Sequence, residues 1–178
     1  MNLIINKPEY PAPENRMTPR LRGQISELII HHTAGPAHQS ALAIDAEHRS
    51  RGFAMIGYNY VIDYDGTIFA GRPLEDVPAA AFGRNATSVD VALTGNFQSN
   101  DPGFTGDPTA PQITALEALA LWLHQQLPTI TRTIGHRDVA PLFYPNDQGD
   151  YATACPGDRL YAQIPAIKAS VVAALPRL

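Results

Sequence analysis

Cysteine is almost absent from this chain: Cys155 is the only one in 178 residues. A single cysteine excludes an internal disulfide, and with it the small disulfide-stapled scaffolds of secreted proteins. Lysine is nearly as scarce, represented by Lys7 and Lys168 alone, and the net charge is −4. With the arginines unclustered, the basic patch that nucleic-acid phosphates require is missing, so no nucleic-acid partner is expected. No stretch approaches the roughly 18 apolar residues of a membrane span. Met1 to Gln24 lacks the basic and apolar regions of a secretion signal, its longest apolar run being Leu3-Ile4-Ile5. Gly-x-Gly-x-x-Gly, P-loop, Gly-x-Ser-x-Gly and His-Glu-x-x-His motifs are also lacking, which removes most of the case for nucleotide binding or serine hydrolysis.

What is present suits one globular domain. Apolar residues make up 44% and charged residues 17%, and a chain of this length buries about 70% of its unfolded surface without needing a staple. Residues 1–25 hold Pro8, Pro11, Pro13 and Pro19 and read as an extended arm, leaving 26–178 as the globular domain. Ser26 to His32 reads as a buried strand and Gln39 to Arg51 as a helix stopped by Gly52. Tyr58 to Asp63 and Thr67 to Gly71 flank Asp65-Gly66, a strong hairpin signal. Ser88 to Phe97 is a further strand. Gln112 to Leu127, with a capping box from Thr109, is the clearest helix. Arg132 to His136 is a short strand, Pro141 to Asp150 has turn composition, and Leu160 to Leu175 is a helix interrupted near Pro165. The order implies an α/β fold: a single mixed central sheet flanked by about three helices.

The chemistry-bearing residues sit at strand ends and in loops. His31 and His32 end the first strand, His136 ends Thr-Ile-Gly-His, and Cys155 follows the long loop in Thr-Ala-Cys-Pro-Gly-Asp. Imidazole and thiolate are zinc ligands, and a catalytic zinc keeps three protein ligands and one open position. The separations do not establish such a site, because only the fold can bring these residues together. Each has a plain alternative: His31 as a hydrogen-bonded core histidine, His32 as a surface one, Cys155 as a small buried hydrophobe. Tyr58 and Tyr60 are equally ordinary strand formers. His38, His48 and His124 read as loop or helix-face residues, and Trp122 as core.

Five segments in order resemble the zinc-dependent N-acetylmuramoyl-L-alanine amidases of the type 2 amidase and peptidoglycan-recognition-protein superfamily, phage endolysins included. They are Leu28 to Ala34, Gly57 to Ile62 with Asp65-Gly66-Thr67 and Gly71-Arg72, Val91 to Phe97, Gly135 to Asp138, and Thr153 to Gly157. The resemblance implies Zn2+ held by His31, His136 and Cys155, with His32 not a ligand. It implies a catalytic role for Tyr58, and for Thr153 at a position held by Lys or Thr in active members. The substrate implied is peptidoglycan, cut between N-acetylmuramic acid and L-alanine, by a monomer made in a host cytoplasm and released to the cell wall by a separate holin. For the general base, Asp138 and the attacking water itself stay open.

Two departures from the family pattern matter. Val77 to Gly83 carries alanines where many members have a groove histidine. The loop from Arg137 to Ala154 is long, so that Phe143, Tyr144, Asn146 and Asp147 are expected to line the groove. Two rival readings remain: a non-catalytic binding module on the same fold, and a metal-free hydrolase pairing Cys155 with His136.

Overall fold

The computed structural model describes residues 3–147, 149 and 151–175; Gln148 and Asp150 of the long loop and residues 176–178 lie outside it. Five strands form one sheet: β1 (Glu27–His32), β2 (Tyr60–Ile62), β3 (Ile68–Ala70), β4 (Ser88–Leu93) and β5 (Arg132–Gly135), in the order β3-β2-β4-β1-β5. β1 runs parallel to β4 and β5, β2 runs parallel to β4, and only β3 is antiparallel, closing the Asp65-Gly66 hairpin. The helices α1 (Ala41–Ser50), α2 (Ala110–Gln126) and α5 (Ile164–Ala174) are the long ones, joined by the short α3 (Val139–Phe143) and α4 (Asp158–Tyr161). The mixed α/β sheet with three long helices is the expected architecture. One detail differs: residues 141–143, expected in a turn, finish α3, because Val139 and Ala140 are buried against the sheet. The last helix is interrupted near Pro165 as expected, since proline fits the first turn of α5, where its missing N–H costs no helical bond.

Strand alternation divides the molecule. Leu28 and Ile30 of β1, and Val89, Val91 and Leu93 of β4, join the large core beneath α2 and α5. That core is made by Leu116, Leu119, Ala120 and Leu123 of α2 meeting Ile164, Ile167 and Val171 of α5. Trp122 is only partly buried and packs its ring edge on Tyr60, 6.4 Å between centroids. The opposite face carries Ile29, clustered with Ala81, Ile134 and Val139. Side chains two apart share a face, so His31 continues the Ile29 face and His32 turns toward the helices. On β4 that same open face is made by Ser88, Asp90 and Ala92, small and polar residues unlike the valines between them.

The N-terminal arm lies along the domain. Tyr10 donates from its hydroxyl to the Ala70 carbonyl at 2.9 Å, and Asn6 bridges to Phe69. Arg20 enters the interior, where its guanidinium donates to the carbonyls of Leu74, Asn85 and Ser88.

Candidate functional site

A groove of about 350 Å³ opens over the β1 terminus, lined among others by His31, Tyr58, His136, Thr153 and Cys155. His31 arrives on the open face of β1. His136 follows directly from β5, the neighbouring parallel strand. Cys155 comes from the loop before α4, and Arg137 holds it there. The Arg137 backbone N–H donates to the Cys155 carbonyl at 2.7 Å, and its guanidinium reaches the Ala154 carbonyl and, at 2.9 Å, Asp158. The residue after one candidate ligand thus grips the backbone of another.

The ligand atoms of His31, His136 and Cys155 all lie within 4.8 Å of one another. The His31 and His136 ring centroids are 4.6 Å apart, and Cys155 Sγ is 3.6 Å from His31 Nδ1. A tetrahedral zinc with Zn–S near 2.3 Å and Zn–N near 2.0–2.1 Å separates sulfur and nitrogen by about 3.6 Å. The donor set and this spacing therefore fit a zinc ion.

The electrostatics of the three histidines differ by neighbour. Burial by itself lowers the pKa of His31, but the Cys155 charge and hydrogen bonds with Asp90 and Cys155 outweigh it and raise the value to about 9. His136 is pushed down to about 3, first by burial and then by the charge of His31. His32 is lowered to about 4 by burial and by the same neighbour. It is not the surface residue that the sequence allowed: it is buried, and its Nδ1 accepts from the Phe97 N–H at 3.1 Å.

Tyr58 lies beside His31, ring centroids 5.5 Å apart, and burial raises its pKa, so it stays a neutral donor at ordinary pH. Among the described residues no protein group accepts from its hydroxyl. Thr153 Oγ1 accepts from the Cys155 N–H at 3.1 Å, which leaves the threonine proton free to donate into the groove. Two buried polar residues behind the site escaped the sequence reading. His48 accepts from the Gly57 N–H at 2.9 Å and packs 5.3 Å from Tyr58, so it is a support for that tyrosine and not a helix-face residue. Asp90 accepts from His31 Nε2 at 2.7 Å. The open-face alternation of β4 was the signal that could have found it.

Other expectations need correction. Asp138 is committed elsewhere: Oδ2 accepts from the Gly135 N–H at 2.9 Å and Oδ1 from the Tyr161 hydroxyl at 2.6 Å, away from the groove. Phe143 packs with the Ile29 cluster under Arg84, whose guanidinium carbon lies 4.0 Å from its ring centre. Tyr144 stacks on Tyr151 at 3.6 Å and donates to the Gly83 carbonyl. Neither ring, nor Asn146 or Asp147, is among the residues lining the groove, whereas Ala80 of the alanine segment is, with Asn96, Gln98 and Asp101. The thiol that a metal-free hydrolase would use faces Nδ1 of His31 rather than His136.

The chain belongs to the N-acetylmuramoyl-L-alanine amidase family, whose model matches residues 21–158. Among solved structures it is similar to LysCS, an endolysin N-acetylmuramoyl-L-alanine amidase from Clostridium intestinale URNW. The TM-score is 0.74 at 29% identity, covering 92% of this chain and 93% of that one. Among curated relatives, the endolysin of Klebsiella phage KP32 is 32% identical over 131 residues, 70% of this chain and 83% of its own length. Peptidoglycan-recognition protein SC2 of Drosophila melanogaster is 30% identical over 171 residues, 90% of this chain and 84% of its own.

Proposed function

We propose that the protein is a zinc-dependent amidase that hydrolyses the bond between N-acetylmuramic acid and L-alanine in peptidoglycan, with His31, His136 and Cys155 as metal ligands. The observation that carries this reading is the convergence of three ligand atoms within 4.8 Å in a chain of the amidase family. When bound, zinc supplies a Lewis acid for the scissile carbonyl and lowers the pKa of water.

The chain's own residues supply the rest. Cys155 Sγ and His31 Nδ1, which face each other at 3.6 Å, would hold the ion together with His136. Tyr58, held neutral by burial, and Thr153, with its proton free, donate hydrogen bonds to the oxygen that gains charge as the amide is attacked. Asn96, Gln98 and Asp101 offer polar partners along the groove for a peptide. The phage relatives support an endolysin role, in which the enzyme is made in the host cytoplasm and reaches the wall once a holin opens the membrane.

Digestion of purified sacculi, with mass spectrometry of the products, tests the reading. Free stem peptides beginning at L-alanine, abolished by chelation and restored by zinc, are expected. Disaccharide products overturn it, and binding without release identifies a non-catalytic wall-binding module instead. One observation favours a second reading: Cys155, His31 and Asp90 form a line of contacts at 3.6 and 2.7 Å, the order of a thiol–imidazole–carboxylate hydrolase. It leaves His136 without a task. Activity that survives chelation but not thiol alkylation selects it.

A further inference from the structure

Asp90 is a carboxylate in the middle of a β-sheet, 0% exposed, beside His31 at 1%. Such a charge is costly to bury unless every lone pair is answered, and here each oxygen has a partner. Oδ1 accepts from His31 Nε2 at 2.7 Å, and Oδ2 accepts from the Ser88 hydroxyl at 2.6 Å, one open-face position back on β4. The backbone is pinned as well. The Asp90 N–H donates to Asn59 Oδ1 at 3.0 Å, and the Asn59 N–H donates to the Asp90 carbonyl at 3.0 Å. Asn59 is the residue after Tyr58, and its side-chain amide donates on to the Arg72 carbonyl at 3.0 Å. The carboxylate is therefore fixed in position and orientation by groups other than the histidine it faces.

We infer that Asp90 is the positioning residue of the metal centre: it accepts the Nε2 proton of His31 and so directs the Nδ1 lone pair toward Cys155 and the metal. The inference rests on the zinc reading above. Its physical basis is twofold. A histidine ligand with its far nitrogen hydrogen-bonded to a carboxylate is held in one tautomer and one ring orientation, and its metal-binding nitrogen is made more basic. Loss of such a partner costs about 10- to 100-fold in metal affinity. Asn59, which exchanges two hydrogen bonds with the Asp90 backbone, directly follows Tyr58, so the strand position that carries the carboxylate also anchors the residue next to the hydroxyl donor.

The test is the zinc dissociation constant by competition with a chromophoric chelator, for wild type, Asp90→Asn, Asp90→Ala and Ser88→Ala. Folding of each metal-free variant is checked by circular dichroism and its melting temperature. Asp90→Asn keeps shape and an acceptor but loses the charge, and weakens zinc by about tenfold; Asp90→Ala weakens it by about 100-fold. Ser88→Ala frees one carboxylate oxygen and gives a smaller loss of the same sign. In the zinc-loaded wild type, 15N-histidine NMR shows His31 protonated at Nε2. The inference is overturned if folded Asp90→Asn and Ser88→Ala both bind zinc within twofold of wild type, whatever their melting temperatures. It is equally overturned if the loaded protein carries the His31 proton at Nδ1. A wild type that takes up no zinc removes the functional reading and this inference with it, whereas zinc-binding wild type with unaffected variants removes this inference alone.

Discussion

Nδ1 of His31 and Sγ of Cys155 face each other across 3.6 Å, although 124 residues separate them in the chain. The contact is assembled by two elements: β1, which delivers the histidine, and the segment directly after β5, whose Arg137 grips the Cys155 loop. A metal binding there ties the sheet to the C-terminal loop.

Loading with zinc is therefore expected to stabilise the folded chain. At free zinc 1,000-fold above the dissociation constant the gain is about 4 kcal/mol, which raises Tm by roughly 10 °C for a protein of this size. Differential scanning calorimetry with and without chelator measures it. Cobalt substitution gives a thiolate charge-transfer band that Cys155→Ser abolishes.

Removing the Tyr58 hydroxyl separates chemistry from binding. Tyr58→Phe is expected to lower kcat by about 10²-fold, with zinc content and Tm close to wild type, because no protein group among the described residues relies on that hydroxyl. Thr153→Val removes a weaker neutral donor and the acceptor of the Cys155 N–H, and about a tenfold loss is expected. Kinetics on soluble muropeptides, paired with metal analysis, checks both.

Acid sensitivity has a source outside the proposed metal site. Burial, reinforced by the charge of Arg51, holds the pKa of His48 at about 4 against an ordinary 6.5. The unfolded chain takes up that proton first, so the stability contribution is complete above pH 6.5 and is lost as pH falls toward 4. The slope is up to about 1.4 kcal/mol per pH unit for the one group. In metal-free protein, urea unfolding across this range is expected to show a shallower acid limb for His48→Gln than for wild type.

The most deeply buried polar side chain of the arm is Arg20. Arg20→Ala leaves the buried carbonyls of Leu74 and Ser88 without their donor, at an expected cost of about 2–3 kcal/mol in chemical unfolding. Removal of Leu3 to Ile5 is expected to cost less, because Leu3 and Ile5 are only partly buried against the core and Ile4 is exposed.

The architecture was legible because it rests on local signals: the β-branched run of β1, the Asp-Gly hairpin, and the Thr109–Gln112 capping box that the structure reproduces. The groups brought together in the groove were legible through motifs in order along the chain. What stayed hidden depends on packing. The tasks of His31 and His32 differ because of strand parity, which a uniformly apolar run conceals. Asp90 reads as an ordinary polar interruption until β4 is placed beside β1. Asp138, near His136 in sequence, is drawn away by Tyr161 from α4, and Phe143 and Tyr144 fold back on Arg84 and Tyr151 instead of reaching the groove.

The parity of β1 also makes the sheet a partition wall. Behind it lie α2, α5 and most of the apolar interior; in front lie the groove and its polar supports. An engineer seeking a hardier version can rebuild the rear compartment around Leu116, Leu119 and Ile167 without redrawing the front. A one-residue deletion within Leu28-Ile29-Ile30, by contrast, exchanges front for rear, turning His31 inward and bringing His32 out in its place.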